Sequence, residues 1–300
     1  MPEQALIAMI ICLAFALSGC DATRSSSVQI RRQSVGIHGG LNSADGSPLA
    51  KSVVSIQLYN NATGRLSTLC SGTAISSDLI VTAAHCTNAS AHGILHMAAS
   101  ESFIVLFNSP METQKEFLSE IENHGFDSES KARFVKASGI RVHPHYIGGT
   151  ADDHVPAGIQ NDIALLKLNS KIPSDARPML LWNGPLDEGT RVRIAGFGPI
   201  DVDEKLKRLQ LRSLDTSISH LSKSLAEYEL RTSFSAGTVG GDSGGPAMII
   251  SNGEQMLWGI LSSSTSGPNG EGASSMYESV PRHLDWLKAA AKELDADTAF

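Results

Sequence analysis

Three short segments carry side chains that together could hydrolyse an acyl bond. Thr82-Ala83-Ala84-His85-Cys86 follows an apolar run and offers an imidazole. Asn161-Asp162-Ile163-Ala164-Leu165-Leu166 offers a carboxylate at the head of another apolar run. Gly240-Gly241-Asp242-Ser243-Gly244-Gly245-Pro246 offers a hydroxyl among glycines. Peptide hydrolysis needs a nucleophile, a base near neutrality that takes and returns a proton, an acceptor that holds the base in one tautomer, and donors for the oxyanion. Ser243, His85 and Asp162 are of the types that fill the first three roles. The G-x-S-x-G pattern at residues 241–245 also marks the nucleophile of α/β-hydrolases. That architecture places a helix after the serine and an acid and a histidine further along the chain. Here Pro246 to Ile250 reads as a strand, and His283 is the sole histidine beyond Ser243.

These residues need a scaffold that brings distant segments together. Short β-type runs span Ser52 to Tyr59, Thr68 to Ile75, Leu79 to Ala83, Phe103 to Phe107, Ile163 to Leu168, Arg191 to Gly196, Pro246 to Ile250 and Met256 to Leu261. Apolar and β-branched residues dominate them, and Asn-Gly, Gly-Pro and Ser-Gly turns divide them, which predicts antiparallel barrels or a sandwich. Two helices are expected: Glu112 to Asn123, with Phe117, Leu118 and Ile121 on one face, and Arg282 to Leu294, with Leu284, Trp286, Leu287 and Ala290 on one face.

In the order His, Asp, Ser, the three segments resemble the TAAHC, D-I-A-L and GDSGGP motifs of the trypsin/chymotrypsin-like serine protease family. His143-Pro144-His145-Tyr146 resembles the family's HPxY segment, Ala195-Gly196-Phe197-Gly198 its SGWG with Phe for Trp, and Trp258-Gly259-Ile260-Leu261-Ser262 the strand lining its substrate cleft. The resemblance implies an all-β fold of two packed antiparallel six-stranded β-barrels with a C-terminal helix. It implies Ser243 as nucleophile, His85 as proton shuttle, Asp162 as its orienting acid and the N–H groups of Gly241 and Ser243 as the oxyanion hole. Ser262 matches the serine that hydrogen-bonds the triad aspartate. Cys70 and Cys86 match the family's histidine-loop disulfide.

Ile37-His38-Gly39-Gly40 resembles the family's mature N-terminus, whose freed amine pairs with the residue matched here by Asp242. Such a chain is a zymogen cut before Ile37, and the cut follows Gly36 rather than Arg or Lys. At the base of the primary pocket, where trypsin-like members carry Asp, stands Gly237; Ser264 and Ser275 fall at the pocket walls, and Val239 replaces the first cysteine of the pocket disulfide. A buried Lys or Arg would have no partner there, so an uncharged P1 residue is expected.

The first residues, MPEQALIAMIICLAFALSGC, hold an apolar run too short to span a bilayer but of signal-peptide length. It ends in Leu17-Ser18-Gly19-Cys20, which resembles the bacterial lipobox, so Cys20 is the expected lipid acceptor. The expected organisation is a signal peptide over 1–19, a linker or propeptide over 20–36 and a protease domain over 37–300. With Cys12 in the removed segment and Cys20 lipidated, Cys70 and Cys86 remain, an expected disulfide in an oxidising compartment. The implied location is the bacterial cell envelope, with release to the periplasm or outside after activation.

At 300 residues and 41% hydrophobic content the chain can bury a full core. A net charge of −7 gives no support for nucleic-acid binding, which needs a basic face. Expected partners are protein or peptide substrates, an activating protease and, through Cys20, a membrane; no cofactor or metal is expected. His92 and His96 lack a companion ligand set. The residues between Ala91 and Arg133 form an insertion, read equally as a specificity loop or an inert surface segment. The competing class is a non-catalytic binding or adhesion lipoprotein on the same scaffold.

Overall fold

A computed structural model describes residues 37, 40–43, 46–87, 101–108, 114–127, 129–130, 133–148, 161–198, 210–221, 227–231, 237–265 and 274–300. The expected signal segment, Cys20, the linker to Gly36 and the pair His92 and His96 lie outside them. No helix among the described residues is long and apolar enough to cross a membrane.

A two-residue strand β1 (Leu41–Asn42) and a short helix α1 (Pro48–Ser52) lead into β2 (Val53–Asn60), β3 (Arg65–Ala74) and β4 (Leu79–Thr82). A 3₁₀ turn at Ala84–Cys86 precedes β5 (Glu101–Phe107), α2 (Gln114–His124), β6 (Phe134–Val142) and β7 (Ala164–Leu168). Then come β8 (Leu180–Leu181), β9 (Arg191–Gly196), β10 (Arg212–Ser217), β11 (His220–Leu221) and β12 (Glu227–Arg231). The chain continues through β13 (Pro246–Ser251), β14 (Glu254–Thr265), β15 (Ser274–Ser279) and α3 (Val280–Glu293).

The first of the two expected barrels is closed, in the order β2-β3-β4-β7-β6-β5. The second is seen in part, as a nine-stranded sheet ordered β1-β10-β9-β13-β14-β15-β12-β11, with β8 beside β14; its path stays open among the described residues. Local chemistry sets the hairpins. Asn252 and Gly253 both take positive φ, 52° and 83°, as a two-residue β-hairpin turn between β13 and β14 requires. At the β2–β3 turn, Asn60 Oδ1 accepts the N–H groups of Ala62 and Thr63, and Gly64 closes the turn at φ 63°.

One apolar cluster fills the closed barrel and runs on into the second half through Ala195, Phe197, Met248, Leu257 and Ile260. A second cluster gathers Ile37, Val192, Ile194, Trp258, Leu261 and Tyr277 inside the C-terminal sheet. Helix α2, within the insertion, buries Phe117 against Leu66, Ile104, Leu106 and Phe134, with Leu118 and Ile121 packed alongside. The described part of the insertion thus covers a barrel wall. Helix α3 starts two residues earlier than expected because Pro281 suits its first turn. Its buried face is Val280, His283, Leu287, Ala290 and Ala291, with Leu284 and Trp286 only partly covered.

Asp78 ties the C-terminal tail to the barrel, accepting from Lys167 (2.5 Å), Lys171 (3.1 Å) and the Asp297 N–H (3.1 Å). Burial favours its neutral form, but those three donors together hold the carboxyl below its ordinary value. Cys70 and Cys86 are joined in a disulfide that closes a loop of sequence separation 16. A loop of that size is worth about 3 kcal/mol through the restricted unfolded chain. The Cys70→Ser/Cys86→Ser variant is expected to unfold at a clearly lower guanidinium midpoint; an unchanged midpoint would contradict this.

Candidate active site

His85 lies in the 3₁₀ turn that ends β4, a strand buried at all four residues. Asp162 sits at the mouth of β7, the hydrogen-bonded neighbour of β4, so strand pairing brings the two together across 77 residues. His85 Nδ1–H donates to Asp162 Oδ2 at 2.7 Å, and the His85 backbone N–H donates to Oδ1 at 2.8 Å. Because a carboxylate only accepts, this contact puts the ring proton on Nδ1 and leaves Nε2 unprotonated, as a base must be.

Asp162 is fully buried. Its third donor is the Ser262 hydroxyl, 2.7 Å from Oδ2. Ser262 falls where the β14–β15 register slips between Leu261 and Ser263, a bulge of the kind that re-aims one side chain beside a site. The turn that presents Asp162 depends on Asn161 at φ 52°, a left-handed conformation Asn tolerates, anchored by its Nδ2 on the His145 carbonyl at 2.9 Å. Burial and the Asp162 charge push the Tyr146 phenol well above its ordinary range.

Ser243 is held in a tight turn just before β13, flanked by Gly241 at φ 92° and Gly244 at φ 77°. A side chain at Gly244 would collide with the Thr82 hydroxyl and the Ser71 carbonyl, so the turn packs directly on β3 and on the end of β4, the strand that leads into the His85 turn. Ser71 fixes it there. Its N–H donates to the Ser243 carbonyl (2.8 Å), its hydroxyl donates to the Gly241 carbonyl (2.9 Å) and accepts from the Phe197 N–H (2.9 Å), and its carbonyl accepts from the Thr82 hydroxyl (2.8 Å). Among the described residues the Gly241 and Ser243 N–H groups donate to no protein carbonyl, which leaves both able to meet an oxyanion.

Asp242 is fully buried and accepts three N–H groups: Gly198 at 2.8 Å, Val239 at 3.0 Å and Ile37 at 3.0 Å. Burial drives its carboxyl up to about 6, although these donors and the Arg212 charge pull the other way. Ile37 is likewise fully buried, so in the full chain its peptide N–H already occupies this position, at φ 20°. Gly196 and Gly198 have a packing reason, since a Cβ at either would run into the Asp242 carboxylate.

The remaining predicted residues gather nearby in sequence and register. Gly237 is buried, Ser275 is fully buried, and Ser264, an exposed residue, pairs with Ser275 across β14 and β15. The hydroxyls of Thr238 and Ser275 lie 2.7 Å apart and satisfy each other. Sequence reasoning missed Thr238, although it adjoins Gly237, and Ser71, although it adjoins Cys70. It also missed Glu278, whose Oε1 accepts the Asp162 N–H at 2.8 Å and which no motif marks. Donor atoms of Cys70, His85 and Cys86 lie within 4.8 Å of one another, but the disulfide consumes both sulfurs and Asp162 holds the imidazole. That cluster is no metal centre.

An all-β body whose seam gathers His, Asp and Ser from separate segments defines the class, and comparison with known proteins agrees. The Trypsin family model matches residues 37–287, and the chain belongs to that family. It is similar to human chymotrypsin-like elastase family member 1, 25% identical over 252 residues that cover 79% of this chain and 85% of the relative. It is also similar to human mannan-binding lectin serine protease 1, 24% identical over 73% of this chain; the match spans 31% of that longer protein. Among solved structures, mouse neuropsin, a serine protease expressed in the limbic system of the brain, superposes with a TM-score of 0.56 at 18% identity, covering 84% of this chain and 98% of neuropsin. That likeness shows the shared trypsin-like fold.

Proposed function

We propose that this chain is a serine endopeptidase that hydrolyses peptide bonds through an acyl-enzyme on Ser243. The observation that carries this reading is the unbroken hydrogen-bonded set Ser262–Asp162–His85, with the Ser243 turn pinned by Ser71 to β3, the neighbour of the strand that leads into His85. Ser243 Oγ attacks the scissile carbonyl and passes its proton to His85 Nε2. Asp162 holds the resulting imidazolium. The Gly241 and Ser243 N–H groups receive the oxyanion, and its collapse expels the amine, which takes the proton from His85. Water then repeats the sequence on the acyl-enzyme.

In this reading the primary pocket is built from Gly237, Thr238, Ser262, Ser264 and Ser275, with no acidic residue among them. Thr238 and Ser275 spend their hydroxyls on each other, so the walls offer little to a cation. A peptide-library profile is expected to show an uncharged P1 residue and to disfavour Lys and Arg, because an unpaired buried ammonium or guanidinium is costly. Preferential cleavage after Lys or Arg would contradict the assignment of Gly237.

The enzyme is made as an exported lipoprotein zymogen, anchored through Cys20 and activated when another protease cuts before Ile37. With Cys70 joined to Cys86, no disulfide tethers the propeptide to the body, so the cut releases the enzyme from the membrane. Fractionation of wild type against a cut-blocked variant tests this; processed enzyme that remains with the membrane overturns it. A fluorophosphonate label on processed protein, compared with Ser243→Ala, tests the catalytic reading itself. Absence of labelling favours the binding or adhesion alternative.

A further inference from the structure

Asp162 is fully buried and has two polar ends to satisfy. Its carboxylate is occupied by His85 and Ser262, and its main-chain N–H donates across the seam to Glu278 Oε1 on β15, at 2.8 Å. Glu278 is itself fully buried, and its second oxygen accepts His283 Nε2–H at 3.0 Å from the first turn of α3. His283 is 4% exposed and meets the ring of His143 edge-on, centroids 5.0 Å apart. His143 is held at about 4 by burial and by the charges of His283 and His145, so at neutral pH it covers the pair without adding charge. The His143 backbone N–H donates in turn to the Ile163 carbonyl, directly after Asp162, at 3.1 Å.

A buried carboxylate is a costly way to fill space, and an apolar side chain would pack there at less expense. What Glu278 supplies is a charge-assisted acceptor for one N–H. We propose that Glu278, oriented by His283, is a positioning residue that fixes the main chain of Asp162 and so the aim of its carboxylate at His85. The inference rests on the reading of Asp162 as the triad carboxylate. It adds a second carboxylate–imidazole pair, Glu278–His283, joined to the first through a single peptide N–H.

The test uses processed full-length protein bearing Glu278→Leu, Glu278→Gln or His283→Phe, assayed well below each variant's Tm. Glu278→Gln keeps an acceptor for the Asp162 N–H and is expected to stay within about threefold of wild type in kcat. Glu278→Leu removes it and is expected to lower kcat by about 100-fold, the scale of a misplacement near 1 Å, with KM within about twofold. His283→Phe leaves one Glu278 oxygen unpartnered and is expected to fall between them, at about tenfold. It carries the kinetic test if Glu278→Leu does not fold. The second readout is the downfield NMR line of the His85 Nδ1 proton, assigned by its loss in His85→Ala. It should broaden or vanish in Glu278→Leu and weaken in His283→Phe, and persist in Glu278→Gln.

A folded Glu278→Leu or His283→Phe protein with wild-type kcat and an unchanged line overturns the proposal, as does Glu278→Gln impaired as deeply as Glu278→Leu. The NMR readout does not need turnover. If wild type shows no Ser243-dependent hydrolysis, the endopeptidase reading fails, and the line in the Glu278 variants still decides whether Glu278 positions Asp162.

Discussion

Ser243→Ala is expected to abolish all but a residue of proteolysis, lowering kcat by about 10⁶-fold while substrate still binds, the scale found when a Ser–His–Asp nucleophile is removed. Asp162→Asn should cost about 10⁴-fold. The reason lies in the direction of its hydrogen bonds. Three donors converge on the Asp162 carboxylate, from the His85 ring, the His85 main chain and Ser262. An amide would aim its own N–H at one of them and turn the imidazole to the wrong tautomer. Because the residues act as a unit, His85→Ala/Ser243→Ala should be no worse than Ser243→Ala alone. Burst titration with a chromogenic ester and steady-state peptide hydrolysis measure these losses. A Ser243→Ala protein that keeps wild-type turnover would remove the basis for the proposed chemistry.

Cutting before Ile37 is expected to raise kcat/KM by at least about 10³-fold, since in the proposed activation it acts on both oxyanion donors at once. Gly241 and Ser243 flank Asp242, so the environment of that carboxylate sets the turn that presents them. In the full chain its partner at residue 37 is a peptide N–H, and burial leaves the Asp242 carboxyl at about 6. A cut would replace that amide with an ammonium, a full charge at the same place.

The pH dependence of stability separates the two states. A folded-state carboxyl raised above its unfolded value of 3.8 means that between about 4 and 6 the folded uncut chain holds a proton the unfolded chain has already lost. Its contribution is therefore fully present below about 4 and is lost as pH rises through about 6. The uncut Ser243→Ala protein should thus show a denaturant midpoint that falls over this window from the Asp242 contribution, and Asp242→Asn should remove that fall. In the processed protein the ammonium favours the ionised acid, so the fall should shrink or reverse. An uncut chain with the same pH response as its Asp242→Asn variant would contradict the proposed role of the pair.

The parts of this molecule legible in its sequence are those whose signal is local. The bounds expected for β9, Arg191 to Gly196, coincide with the observed strand, and β4 and β7 were marked by short buried apolar runs. His85, Asp162 and Ser243 each sit inside a contiguous motif, so their nomination needed no knowledge of contacts. By contrast β6, with the run Lys136-Ala137-Ser138-Gly139 and a register slip between Ala137 and Gly139, has no clean alternation and was not anticipated. Strand β15 was hidden for another reason. Ser275, Glu278 and Ser279 are all fully buried polar residues, and hydrophobic periodicity cannot register a strand whose inward side chains are satisfied by partners far away in sequence. Glu278 is the extreme case, since its partner lies 116 residues away. Ile37 was nominated from its motif, but its place inside the apolar cluster of the C-terminal sheet is a tertiary fact.

Ser71 touches the Ser243 carbonyl, the Gly241 carbonyl and the Phe197 N–H, all on the far side of the seam, while its own carbonyl stays tied to Thr82 beside His85. In mechanical terms it is a dowel driven through a joint between two rigid plates. Each plate can keep its shape while the joint works loose, yet the proposed hydrolysis requires reacting groups from both. Heating should therefore silence the proposed activity when the plates begin to slide, before either loses its β-structure, and the interval between those two temperatures measures how tightly the dowel fits.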